Sequence, residues 1–136
     1  EAGTFLVKAN VIKPTPATVF VGVDSGFNHL IRPMLYGSYH RIENISNAKG
    51  TERIYTIVGN LCETDTFAWD RMLTEVNEGD ILAFYNAGAY CYEMSMNYNA
   101  RCKPAEVLVQ GEEHAVIRRR EALEDLLRNT IEIELD

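Results

Sequence analysis

Apolar residues in this chain come in short runs, each closed by turn-forming residues, and that punctuation restricts it to a fold of short strands. Ile81-Leu82-Ala83-Phe84-Tyr85, delivered by the turn Asn77-Glu78-Gly79-Asp80, is the clearest buried strand. Val19-Phe20-Val21-Gly22-Val23 is β-branched and ends at Asp24-Ser25-Gly26, a strand followed by a turn. Pro33 interrupts the apolar stretch His29 to Tyr36, so a short helical turn or irregular segment is expected there. Tyr39 to Ile45 reads as a strand closed by Asn47-Ala48-Lys49-Gly50, and Ile54 to Val58 as a half-buried strand. Pro14 and Pro16 mark a joint after the apolar residues Phe5, Leu6, Val7, Val11 and Ile12. Toward the C-terminus, Glu106 to Val109 and Ala115 to Ile117 form a hairpin around Gly111. Leu123, Leu126 and Leu127 lie at helical spacing within Glu121 to Arg128, and the alternating Ile131-Glu132-Ile133-Glu134-Leu135 reads as a last strand. The expected fold is mainly β: an antiparallel barrel or sandwich of Greek-key type with one or two short helices.

At 136 residues the chain has room for one modest core, and its 46% hydrophobic and 24% charged residues are ordinary for a globular protein. A net charge of −7 argues against nucleic acid, whose phosphates need clustered Lys and Arg. The basic run Arg118-Arg119-Arg120 precedes Glu121, Glu124 and Asp125 and reads as a solvated or locally paired surface. No apolar run approaches a membrane span, and Glu1 opens the chain where a secretory leader needs a basic start. The three cysteines, Cys62, Cys91 and Cys102, lack paired spacing, so a reducing cytoplasm is expected rather than a disulfide framework. Neither they nor His29, His40 and His114 cluster as metal ligands do, and no metal is assigned.

Three segments carry candidate chemistry. Cys62, in Leu61-Cys62-Glu63-Thr64-Asp65, offers a thiol able to protonate a carbanion, though most free cysteines are small buried hydrophobes. Glu63 and Asp65 could grip an ammonium group or be solvated loop carboxylates. Tyr90 follows Gly88, which allows backbone to approach a ligand, and its phenol could donate to a phosphate oxygen; alternatively it is one of 7 tyrosines packed in the core. Arg32, in Arg32-Pro33-Met34-Leu35-Tyr36, could fork onto a carboxylate shared with Tyr36 one turn on, or pair with any of 20 acidic residues.

Taken in order, these pieces resemble the C-terminal domain of the pyridoxal-phosphate decarboxylases that act on basic amino acids, enzymes of the alanine-racemase-like fold type. The resemblance runs through Val23-Asp24-Ser25-Gly26-Phe27-Asn28, Leu30 to Gly37, Cys62-Glu63 with Asp65, Gly88-Ala89-Tyr90, Tyr98-Asn99-Ala100-Arg101 and Pro104-Ala105-Glu106-Val107. It implies that residues 1–12 are the tail of an α/β barrel and its connection, and that 13–136 are the C-terminal β-barrel domain. Such a barrel would hold pyridoxal phosphate on a Schiff-base lysine not found in this chain. By the same resemblance Cys62 would protonate the α-carbon after carbon dioxide leaves, and Glu63 would hold the distal amino group. Arg32 and Tyr36 would hold the distal carboxylate, and Tyr90 the cofactor phosphate and substrate. Cys62 and Glu63 would serve a partner subunit, so a homodimer is expected. The implied reaction removes the D-centre carboxylate of meso-diaminopimelate to give L-lysine. Where the family has Glu-Pro-Gly-Arg this chain has Glu1-Ala2-Gly3-Thr4, one arginine fewer. That leaves open relatives acting on ornithine, lysine or a carrier-bound amino acid, and a non-catalytic regulatory barrel. The isolated chain is expected to be inactive.

Overall fold

Alternation begins at once in β1 (Thr4–Pro14), where Phe5, Val7 and Ala9 point into the core and Leu6, Lys8 and Asn10 point out. The computed structural model describes residues 2–135, so Glu1 and its part in the Glu1 to Thr4 motif lie outside the described residues. Two units are distinguished, one running through Ser95 and the other from Met96 onward. The expected boundary after Ile12 falls inside β1, which is a central strand of the first unit's sheet.

That sheet has the order β3-β6-β1-β2-β4-β5, built from β1, β2 (Val19–Val23), β3 (Ile42–Asn44), β4 (Glu52–Val58), β5 (Thr66–Thr74) and β6 (Ile81–Tyr85). The first half of β1 pairs with β6, Thr4 opposite Tyr85, and the second half with β2, Lys13 opposite Phe20. The joint at Pro14 and Pro16 is thus a hairpin turn, closed by the Thr15 amide donating to the Thr18 carbonyl at 2.9 Å. All pairings in this sheet are antiparallel except β2 with β4. That parallel pair exists because the chain leaves β2, forms α1 (Arg32–Tyr36) and lays β3 on the far edge before returning as β4.

The two edges are drawn together by side chains. Asn44 of β3 is buried, and its Nδ2 donates to the Glu75 carbonyl beyond β5 at 2.9 Å and to Asp80 Oδ2 at 2.8 Å. Asn47 Nδ2 donates to the same Glu75 carbonyl at 3.0 Å, giving a nearly closed, barrel-like sheet. Its interior holds Phe84, Leu30, Ile57, Leu82, Val21 and Val23, all essentially inaccessible to water. Phe84 sits edge-on to Phe67 at 5.2 Å and to Phe5 at 6.0 Å between ring centroids.

The unit from Met96 onward is built around a hairpin of β7 (Glu106–Gln110) and β8 (Glu113–Arg118), with Gly111 at φ +61 in its turn. A short helix, α2 (Leu123–Leu127), follows. The Ala122 amide donates to Asp125 Oδ2 at 2.8 Å, and Arg119 grips Asp125 through both guanidinium Nη atoms. Arg118 pairs with Glu106 and Arg119 with Asp125, so two of the three arginines of the basic run are locally paired. The expected last strand at Ile131–Leu135 does not form: these residues are exposed and without a ladder among the described residues. Alternation makes a strand only where another strand supplies hydrogen bonds. Of the expected strand Tyr39 to Ile45, only Ile42–Asn44 pairs, whereas β5 forms where no strand was expected.

Candidate functional site

Four segments of the first unit meet around the turn between β2 and α1. Asp24 fixes that turn to β1, its amide donating to the Lys8 carbonyl at 3.0 Å while its Oδ1 accepts the Lys8 amide at 2.8 Å. Within the turn the Ser25 hydroxyl and His29 Nδ1 are hydrogen-bonded at 2.7 Å, and the His29 amide donates to the Gly26 carbonyl. Helix α1 then starts with Arg32 and Pro33, where a missing N–H costs nothing, and stops at Gly37 in the left-handed region. Arg32 and Tyr36 stand at its two ends, four residues apart, a spacing that shares a helix face. Tyr36 is largely exposed.

The Cys62 loop, residues 59–65, joins β4 to β5. Its tip residues Cys62, Glu63 and Thr64 are exposed, while Asp65 is buried to 5% exposure. Asp65 Oδ1 accepts the Phe27 amide at 2.7 Å and Oδ2 accepts the Leu61 amide at 3.0 Å. The Asn60 amide donates to the Ser25 carbonyl at 2.9 Å, a second tie between loop and turn. Burial pushes the Asp65 carboxyl above its ordinary value, and the two amide bonds pull the other way. Asp65 is therefore neither a solvated loop carboxylate nor an open ammonium site. Nothing local announced this, because Phe27 lies 38 residues away in sequence.

The Tyr90 segment leaves β6 through strained backbone, with Asn86 at φ +58 and Tyr90 at φ +63. Gly88 lies so close to Gly3 that a Cβ on Gly3 would fall 2.3 Å from the Gly88 Cα, and the Gly88 amide donates to the Ala2 carbonyl at 2.8 Å. The Cys91 thiol donates to the His29 carbonyl at 3.1 Å, tying this segment to the same turn. Its outcome is a direct contact between two of the candidate residues, with the Arg32 guanidinium 5.3 Å from the centroid of the exposed Tyr90 ring. Arg32 and Tyr90 thus meet face to face, and Cys62 and Glu63 are joined to α1 through Asp65 and the turn.

Two grooves border these segments. One, about 460 Å³, runs between α1 and β5, with Met34 and Ser38 on one wall, Trp69 and Arg71 on the other and Thr64 beside them. The second, about 360 Å³, is lined by Gly3, Thr4, Arg41, Tyr85 and Asn86. There the Arg41 guanidinium lies over the Tyr85 ring at 4.8 Å and pairs with Glu43, which also accepts the Tyr85 hydroxyl at 2.8 Å. The Arg41 partner, followed by the Tyr85 hydroxyl, holds the Glu43 carboxyl below its usual range, and Glu43 raises Tyr85 in turn. Among the described residues no cluster of His, Cys, Asp and Glu suits a metal ion, and no helix is long and apolar enough to cross a membrane.

Comparison with known proteins agrees with this arrangement. Residues 1–88 match the family model for the pyridoxal-dependent decarboxylase, C-terminal sheet domain. The chain is 48% identical over 131 residues to a diaminopimelate decarboxylase of Methanothermobacter thermautotrophicus, covering 94% of this chain and 30% of that protein. It is 50% identical over 111 residues to the Archaeoglobus fulgidus diaminopimelate decarboxylase, covering 79% of this chain and 26% of that one. Among solved structures, diaminopimelate decarboxylase from M. jannaschii superposes with a TM-score of 0.88 at 40% identity, over 96% of this chain and 30% of that one. The chain therefore spans about a third of the length of the relatives it matches, or less.

Proposed function

The chain belongs to the pyridoxal-dependent decarboxylases, as their C-terminal sheet domain, and from that premise we propose that it completes the active site of a longer enzyme that decarboxylates meso-diaminopimelate to L-lysine. The observation that carries this reading is the Arg32–Tyr90 contact, with Tyr36 at the other end of α1 and the Cys62–Glu63 loop tied to the turn that precedes the helix. A guanidinium and a phenol on one helix are suited to a carboxylate, and Glu63, exposed on its loop, to an ammonium group. The substrate carries both, so Arg32 and Tyr36 take its distal carboxylate and Glu63 its distal amino group.

Pyridoxal phosphate, when bound, supplies an electron sink for the pair left behind as the carboxylate departs. The residues present fit its phosphate end: the Tyr90 ring is exposed, and its hydroxyl makes no hydrogen bond among the described residues. Tyr90 is therefore free to donate to a phosphate oxygen, with Arg32 adding positive charge nearby. Cys62 then delivers its proton to the α-carbon. As the family resemblance implies, Cys62 and Glu63 serve the site of a second copy in a homodimer, and their exposure at a loop tip is compatible with that role.

Replacing Cys62 with Ala in the full-length enzyme should lower kcat by roughly 10²- to 10⁴-fold, the usual weight of a positioned proton donor, with cofactor absorbance retained. Unchanged turnover removes Cys62 from the mechanism. Thr4, in the second groove where the family carries an arginine, favours one alternative, a substrate without a distal carboxylate. Comparing kcat/KM for meso-diaminopimelate with that for ornithine and lysine decides between them.

A further inference from the structure

A carboxylate buried between two loops is costly unless both oxygens are satisfied, and this chain satisfies Asp65 with backbone amides from each loop. The space it occupies is made by two glycines. A Cβ on Gly59 would fall 1.9 Å from Asp65 Oδ2, and a Cβ on Gly26 2.5 Å from the same atom. Loop 59–65 is further closed by the Gly59 amide donating to the Asp65 carbonyl at 2.6 Å, while its tip stays in solvent. One end of the carboxylate therefore holds the residue next to Cys62, and the other holds Phe27, five residues before Arg32.

We propose that Asp65 is the positioning residue for Cys62 and Glu63, its carboxylate clamping the Cys62 loop onto the Gly26–Phe27 turn and so fixing both side chains on the rigid barrel that presents them to the partner's site. This rests on the reading of Cys62 as the proton donor. The device needs two acceptors 38 and 4 residues from their donors, which only an ionised carboxylate offers in this space. An asparagine of the same shape would turn its Nδ2 toward either the Phe27 or the Leu61 amide, donor against donor. That tie would open and the loop would shift, carrying Cys62 and Glu63 with it while Arg32, Tyr36 and Tyr90 stay in place. Displacements of about 1 Å at a reacting group cost up to about a hundredfold in rate.

The test uses the full-length enzyme carrying Asp65→Asn, Gly59→Ala or Cys62→Ala. Asp65→Asn is expected to lower kcat about tenfold to a hundredfold and to raise KM as well, because Glu63 moves with the loop, whereas Cys62→Ala should lower kcat with KM kept. Gly59→Ala, which displaces the carboxylate without removing it, should do the same. The rate of iodoacetamide attack on Cys62, read by mass spectrometry of its peptide, should change in both variants. An unchanged kcat and unchanged Cys62 labelling in Asp65→Asn overturn the clamp, as does a loss explained wholly by a smaller folded fraction at unaltered kcat per folded enzyme. If Cys62→Ala itself keeps full turnover, the reading of the thiol as proton donor fails instead, and the labelling rates alone judge the clamp.

Discussion

The two units of this chain are held together by different physics. The first hides Phe84, Ile57, Leu82 and Leu30 from water and seals its edges with a buried Asn44. The second leaves Val107, Leu108, Val109, Val116 and Ile117 about half or more exposed, and its visible ties are polar: Glu106 with Arg118, Asp125 with Arg119, and Glu121 with the Lys103 amide and Asn97. Burial stabilises in proportion to apolar area removed from water, whereas exposed ion pairs contribute about 0–1 kcal/mol each and weaken with salt. The candidate site residues all belong to the first kind of region, where rigid packing can hold side chains against a ligand.

The contrast is sharpest under truncation. Phe84→Ala should cost about 3–5 kcal/mol, because it leaves a cavity facing Phe5 and Phe67. Val109→Ala in the exposed hairpin should stay within about 0.5 kcal/mol. Urea unfolding read through Trp69, the single tryptophan, measures the first, and amide exchange across β7 and β8 the second. Comparable losses at the two positions would abolish the distinction. A smaller effect is expected at the seam, where Asn44→Ala strips donors from the Glu75 carbonyl and Asp80 and acceptors from the Ser46 and Asn47 amides, at about 1–3 kcal/mol. Full stability there would mean that packing alone closes the barrel.

The same division explains how much could be read from the residues. Val19–Val23, Ile54 to Val58 and Ile81–Tyr85 were legible because their apolar runs match their burial. β5 was not: Phe67 and Ala68 are both buried, Asp70 takes φ +47, and its register with β4 slips near Tyr55 and Ile57, so no simple alternation survives. Ile131–Leu135 failed in the opposite sense, its pattern intact but its ladder absent. The parallel β2–β4 pair was hidden for a topological reason, since pairing across a crossover leaves no mark on either strand. Of the site, Arg32, Tyr36, Cys62, Glu63 and Tyr90 could be named from ordered motifs, whereas the tie made by Asp65 depends on a turn far away in sequence.

The smallest expected effect is also the one that tests the contrast by sign. Asp125 is half-buried and gripped by the exposed Arg119, which holds its carboxyl down at about 2 against an ordinary 3.8. Its contribution is therefore present above the ordinary value and lost as pH falls through about 2. Asp65 is buried with amides alone, and burial raises it above 3.8. Its folded form binds a proton more readily than the unfolded chain does, so the buried charge that the clamp uses costs stability as pH rises through the raised value, and that cost is relieved in acid. Residue-resolved NMR titration should find Asp65 protonating first on acidification and Asp125 last, with α2 amides losing exchange protection only at the acid end. Should both carboxyls titrate together near 3.8, neither the buried cradle nor the arginine grip persists in solution, and the two regions would not differ in the way their side chains are held.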